Sequence, residues 1–365
     1  MAPVRVLLAP DRFGSLTGAE AASALAAGWA EAAPAVDTVR LPQSDGGPGF
    51  LAALAVSVGG DLQMLSVDRP ERALSVPVLR AGGRTYVEAA EVERAGEALD
   101  TEPLGATLRT LLAAGAEHVV VGLGGLRTLD GGRGLVRGLV GSGGDGGSGL
   151  AAARELLAGR TVTVAVDTDR TLLGMQGASA TAVDTLGLTR EAAQESEREM
   201  GEWVDVVRRA LPPPRDLISG QQQRPDRLPG AGAGGGAGFV LAVLGASLRP
   251  GPEVVAEATG LVEAARASGL LVTATTVYNW RVLAHSVAEQ VARAATTLAV
   301  PGVLLADEVQ VGRRETMSLG FSGSYGVLQP GRMRPRGHRF DPAEDEAALR
   351  RLAARVAGTW TPARG

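Results

Sequence analysis

Four short apolar runs constrain this chain more than any other feature: Val4 to Ala9, His118 to Gly122, Thr161 to Val166 and Val300 to Ala306. None exceeds seven residues, which suits a strand and falls short of a helix. Their Val-rich continuity suits strands buried on both faces, as in parallel sheets covered by helices. An α/β fold is therefore expected. The first run ends at Pro10, and Thr17 with Glu20 forms a capping-box pattern at the start of an Ala-rich helix reaching about Ala33. Val36 to Leu41 reads as the next strand, so the chain opens β-α-β, with its first loop at the strand end where doubly wound sheets place ligands.

Farther on, the loop Ser44 to Gly49 leads into a helix ending near Val58. Leu62 to Val67, Leu74 to Leu79 and Thr85 to Glu88 are short alternating segments with tight turns, which suggests a new subdomain beginning near residue 70. Helices are expected over Thr101 to Ala114, Thr189 to Ala210, Pro252 to Ala267 and Val282 to Thr297, and a strand over Gly269 to Thr275. Gly141 to Gly149 reads as a mobile loop, and Pro212 to Pro225 as a surface connection. Asp341-Pro342 followed by Glu344, Asp345 and Glu346 marks the start of a closing helix to about Val356.

Leu228 to Phe239 holds six glycines between Gly230 and Gly238 and runs into the apolar segment Val240 to Leu248. Glycine permits positive φ and close backbone approach, so this stretch before a helix suits an oxyanion cradle. Composition favours the plainer reading, a close-packed connection in an Ala/Gly-rich chain or a flexible linker. The 3% aromatic content leaves Ala, Val and Leu to build the core. A net charge of −4 supplies no global field for nucleic acid or membrane, so any anion must be met locally. All 36 basic residues are arginine and cysteine is absent, which excludes Schiff-base lysine, P-loop lysine and thiolate chemistry. No run reaches the roughly 18 apolar residues of a membrane span, and the amino terminus lacks a signal peptide's length, so a cytoplasmic protein is expected.

Asp11, Asp130 and Asp167 follow strands, and Asp45 lies in a Gly-Gly loop. Carboxylates so placed can hold Mg²⁺, orient a hydroxyl or act as a base, although Asp-Gly is also a common turn. The three histidines are too scattered to suggest a metal site.

These loops carry a resemblance. Ala9-Pro10-Asp11-Arg12-Phe13-Gly14-Ser15-Leu16, Asp45-Gly46-Gly47-Pro48-Gly49, Gly124 to Gly132, Pro229 to Gly236 and Leu248-Arg249-Pro250-Gly251 follow in the order of similar motifs in the type I glycerate kinases, which phosphorylate D-glycerate with ATP and Mg²⁺. The resemblance implies two domains: a Rossmann-like one from residues 1–70 and 255–365, and an inserted α/β domain over 71–254, with the active site in the cleft between them. It also implies catalytic roles for Asp11, Asp45, Asp130 and Asn279. Substrate or phosphate contacts are implied for Arg12, Ser15, Gly46, Gly47, Arg127, Thr128, Asp167, Gly230, Gly232, Gly234 and Arg281.

Several positions depart from that family pattern. Arg12 replaces a serine, the neighbouring lysine is gone, Pro48 replaces a glutamate, and Leu126 and Leu129 replace a serine and an asparagine. Thr275, Asn279 and Ser286 stand where the family has an acid, an aspartate and a lysine. Phosphoryl transfer relies on such clamps and bases. Two functional expectations follow. The first is a protein with impaired glycerate kinase chemistry, kept as a binder or repurposed for an anionic metabolite. The second is a working kinase using ATP and Mg²⁺ in which the aspartates and the new arginines Arg12, Arg127, Arg170 and Arg281 have taken over the lost roles.

Overall fold

A computed structural model describes residues 5–69, 72–97, 100–141, 146–215, 220, 222–280, 286–329, 331–335 and 337–361. They form two compact units: Met1–Asp45, Gly49–Gly59 and Pro252–Gly365 make the first, and Gly46–Pro48 with Gly60–Gly251 the second.

The chain begins in the first unit with strand β1 (Arg5–Leu8), helix α1 (Gly18–Ala32), strand β2 (Asp37–Arg40) and helix α2 (Phe50–Val58). The capping box on α1 forms in full: Thr17 accepts from the Glu20 backbone N–H while the Glu20 carboxylate accepts from the Thr17 N–H at 2.8 Å. The second unit starts with strands β3 (Asp61–Val67), β4 (Leu74–Ala81) and β5 (Arg84–Glu88). β3 pairs with β4 along its whole length, and the long segment of this unit runs from Gly60 to Gly251.

Helices α3 (Ala89–Gly96) and α4 (Glu102–Ala113), strand β6 (His118–Gly122), helices α5 (Arg133–Val140) and α6 (Gly147–Leu157) and strand β7 (Thr161–Val166) follow. Of the expected Gly141 to Gly149 loop, 142–145 lie outside the described residues and Gly147 already opens α6. Helices α7 (Ala178–Thr185), α8 (Arg190–Ala210) and α9 (Ala237–Val243) and strand β8 (Ser247–Pro250) complete the unit. The Val240 to Leu248 run is thus divided between helix and strand, with Gly245 at φ +103° in the intervening turn.

The sheet of the second unit has the order β3-β4-β5-β6-β7-β8. It is antiparallel from β3 to β5 and parallel from β5 to β8. Val87, Val119, Val121 and Val164 join Leu104, Leu135, Leu150, Trp203 and Phe239 in its core.

The chain then re-enters the first unit through helices α10 (Gly251–Thr259) and α11 (Leu261–Arg266), strand β9 (Leu270–Tyr278), helix α12 (Val287–Leu298), strand β10 (Gly302–Val309), helix α13 (Arg313–Ser318), strand β11 (Gly323–Gly326) and helix α14 (Pro342–Trp360). The single helix expected over Pro252 to Ala267 is two, broken at Gly260 with φ +67°. The five-stranded sheet has the order β11-β10-β9-β1-β2, all parallel. Alternation along β1 divides its core: Val6 and Leu8 pack with residues of α1 and α14, while Leu7 and Ala9 pack with residues of α11 and α12. Among the described residues no helix is long and apolar enough to cross a membrane.

Candidate functional site

In the first unit the carboxyl end of the parallel sheet presents the β1 loop. Asp11 leaves β1 with its N–H donating to Ala274 O at 2.9 Å, and Phe13 and Leu16 exchange backbone hydrogen bonds. Gly14 N–H donates to Thr276 Oγ1 at 2.9 Å, and the Ser15 N–H and hydroxyl both donate to Asp345 Oδ2, at 2.8 and 2.6 Å. A Cβ on Gly14 would lie 2.4 Å from that carboxylate. Ser15 thereby pins its loop to α14, with its hydroxyl proton engaged by Asp345. Sequence reasoning gave Asp345 only a place in the first turn of a helix.

Three of the expected groups do assemble here. Arg12 Nη2 lies 3.3 Å from Asp45 Oδ2. Asp11 Oδ1 is buried without a hydrogen-bond partner. Burial, and next the like charge of Asp45, push the Asp11 carboxyl up to about 7, against smaller opposing effects of Arg12. A carboxyl titrating near neutrality at a sheet's carboxyl end has the properties of a general base or a cation ligand. Asn279 follows β9 directly and is half-buried, whereas Arg281 lies outside the described residues. Sequence reasoning also missed Asp307, nearly fully buried on β10, which accepts two 2.8 Å hydrogen bonds from Arg334.

In the second unit a cavity of about 410 Å³ opens beside the glycine stretch. Arg127, Thr128, Asp167 and Arg170 line it together with Gly232, Gly234 and Gly235. Its glycine wall is rigid. Gly234 and Gly235 have φ of +56° and +61°, and a Cβ on Gly235 would stand 2.0 Å from Thr128 O. Gly232 N–H donates to Arg170 O at 2.9 Å, and Gly131 N–H to Gly235 O at 2.9 Å. Gly230 does not line the cavity; it packs on Val166, where a Cβ would come within 2.8 Å. Gly46 and Gly47 belong to this unit: Gly46 O accepts from Gly124 N–H at 3.0 Å, and a Cβ on Gly124 would lie 2.8 Å from Gly47 Cα.

The charges of this cavity are mostly positive. Arg127 is 84% exposed and lies only 3.9 Å from Glu93, and the Arg170 guanidinium has no ion-pair partner among the described residues. Asp167 is the one carboxylate in the lining. Asp130, expected as a catalytic residue, takes part in a structural hydrogen-bond cluster. Its Oδ2 accepts from Thr101 N–H, Thr101 Oγ1 and Gly134 N–H at 3.0, 2.8 and 2.9 Å, and its Oδ1 from Gly132 N–H at 2.9 Å. Three donors on Oδ2 and one on Oδ1 bind the start of α4 to the start of α5 through this carboxylate.

Among the described residues no three His, Cys, Asp or Glu side chains group as metal ligands. Mg²⁺ is commonly held by one or two carboxylates plus phosphate, and the Asp11 and Asp45 pair with its orphaned buried oxygen fits that smaller demand.

Comparison with known proteins agrees in kind with this architecture. A model of the "Glycerate kinase family" matches residues 6–361. An uncharacterized protein of Mycobacterium bovis is 30% identical over 341 residues, covering 89% of this chain and 84% of that protein. A glycerate kinase of Bacillus subtilis is 27% identical over 388 residues, covering 97% and 98%. A crystal structure assigned as a glycerate kinase 2 of Salmonella typhimurium LT2 superposes with a TM-score of 0.72 at 25% identity, covering 98% of both chains.

Proposed function

The chain belongs to the glycerate kinase family, and from that premise we propose that it binds a small anionic metabolite in the cavity of the second unit while carrying little of the family's ATP-dependent glycerate phosphorylation. The observation that carries this reading is the cavity lining: Arg127 and Arg170 line it together with bare glycine backbone, against Asp167 in the lining and Glu93 at 3.9 Å from Arg127. Arginine recognises carboxylate and phosphate through paired N–H groups, and glycine lets backbone approach such an anion closely. Two features support the loss of kinase activity. The chain has no lysine to clamp a transferring phosphoryl group, and the Asp130 carboxylate is spent on four structural hydrogen bonds.

A second reading, an active sugar-acid kinase, is favoured by Asp11. Its carboxyl, with Oδ1 buried and unpartnered, is a base that is largely ionised above about pH 7. Asp11 and Asp45 are the carboxylates that would hold Mg²⁺, which when bound neutralises phosphate charge.

The two readings separate in one experiment. Purified protein is titrated calorimetrically with D-glycerate and phosphorylated hydroxy acids, then incubated with ATP, Mg²⁺ and D-glycerate while ADP is followed. The expected result is saturable anion binding that Arg170→Ala weakens, with turnover at least about 100-fold below the usual 1 to 100 s⁻¹ of kinases. Turnover inside that range overturns the proposal and selects the second reading.

A further inference from the structure

The second unit contains another cavity, of about 230 Å³, which the reading above does not use. Val207 and Leu211 at the end of α8, Phe239 and Val243 on α9, and Pro213 form much of its apolar wall. Its lip is held in shape by Gln223 N–H donating to Pro214 O at 3.0 Å. Pro212, Pro214 and Leu228 in its lining are exposed, so the cavity is open to solvent and presents apolar surface to it.

The polar part of the lining is cationic. Arg154 and Arg208 both line the cavity. Arg154 has no ion-pair partner among the described residues. Arg208 donates to Asp226, but that buried carboxylate is shared with Arg224, so a single negative charge faces two guanidinium groups before Arg154 is considered. A neutral apolar ligand would leave this excess unanswered. A polyanion would gain nothing from the apolar wall.

We propose that this cavity is a binding site for a monocarboxylate carrying one apolar ring, with the ring against Leu211, Leu228 and Val243 and the carboxylate toward Arg154 and Arg208. The size agrees: a dry apolar cavity of about 150 Å³ accepts benzene, which leaves room here for a carboxylate as well. The site is separate from the glycine-walled cavity but shares a structural wall with it. Leu228 and Phe239, which line this cavity, flank the glycine turn, with Ala231 N–H donating to Leu228 O and Phe239 N–H to Ala231 O. The proposal therefore stands whether or not the larger cavity binds the anion assigned to it.

The test titrates the full chain calorimetrically with benzoate and with its neutral isostere benzamide. Two variants accompany the wild type, Arg154→Glu at an exposed helix position and Ala242→Phe, which fills the cavity from α9; thermal melts check that both fold. Saturable 1:1 benzoate binding is expected, with affinity reduced roughly 10-fold or more in Arg154→Glu and binding abolished in Ala242→Phe. Absence of saturable benzoate binding to the wild type overturns the site. Equal affinity for benzamide, or binding that persists in a folded Ala242→Phe, overturns it equally.

Discussion

Asp11 and Asp130 both follow an apolar strand, yet the two carboxylates have opposite surroundings. Asp11 keeps a buried oxygen with no partner and has its carboxyl pushed up to about 7. Asp130 receives four hydrogen bonds. The first consequence concerns pH. Folded Asp11 holds its proton up to about pH 7, whereas in the unfolded chain it releases it near the ordinary 3.8. Its contribution to stability is therefore complete below about pH 4 and is lost as pH rises through 7. Asp11→Asn should raise the melting temperature relative to wild type at pH 8 and leave it nearly unchanged at pH 4; equal shifts at both pH values would contradict the environment described. The second concerns the cap. Asp130→Ala should cost about 2 to 4 kcal/mol in urea denaturation, because it strands the Thr101, Gly132 and Gly134 donors together. A change within experimental error would mean the carboxylate is free for other work.

At the scale of elements, the glycine turn between α8 and α9 shows why spacing alone could not choose between linker and cradle. Glycines at 234, 235 and 236 all have positive φ, and neighbouring backbone occupies the space a Cβ would need at 235. Gly235→Ala should destabilise by more than about 3 kcal/mol, or abolish soluble expression, since both backbone strain and a clash with Thr128 O oppose it. Gly82→Ala provides the control. Its φ is +56° but nothing lies within 4 Å of the added carbon, so a cost of about 1 kcal/mol is expected. Similar losses in the two variants would refute close packing as the reason for the glycines. The β1 loop is held in another way, through a partner remote in sequence: Asp345 lies 330 residues from Ser15.

For the whole molecule, the two units differ in how the chain builds them. The second is almost one continuous piece, with its own six-stranded sheet and its own core. A fragment spanning Gly60–Gly251 should accordingly unfold in urea as a single cooperative transition with helix and strand signals in circular dichroism. A broad, non-cooperative transition would show that it depends on the rest of the chain. The first unit cannot be excised from one end, because β1 lies between β2 and β9 and packs with residues of α1 and α14. The amino-acid sequence by itself determined the α/β class, the buried strands at β1, β6, β7 and β10, the α1 capping box and the α14 start. Each of these follows from apolar periodicity and local hydrogen bonding within a few residues. Only the tertiary structure decided that Asp11 keeps one buried oxygen unpartnered while Asp130 accepts four hydrogen bonds, that Ser15 answers Asp345, and that Arg127 and Arg170 share a glycine-walled cavity. Those outcomes depend on burial and on partners distant in sequence, and no local pattern encodes which neighbour will reach a carboxylate first.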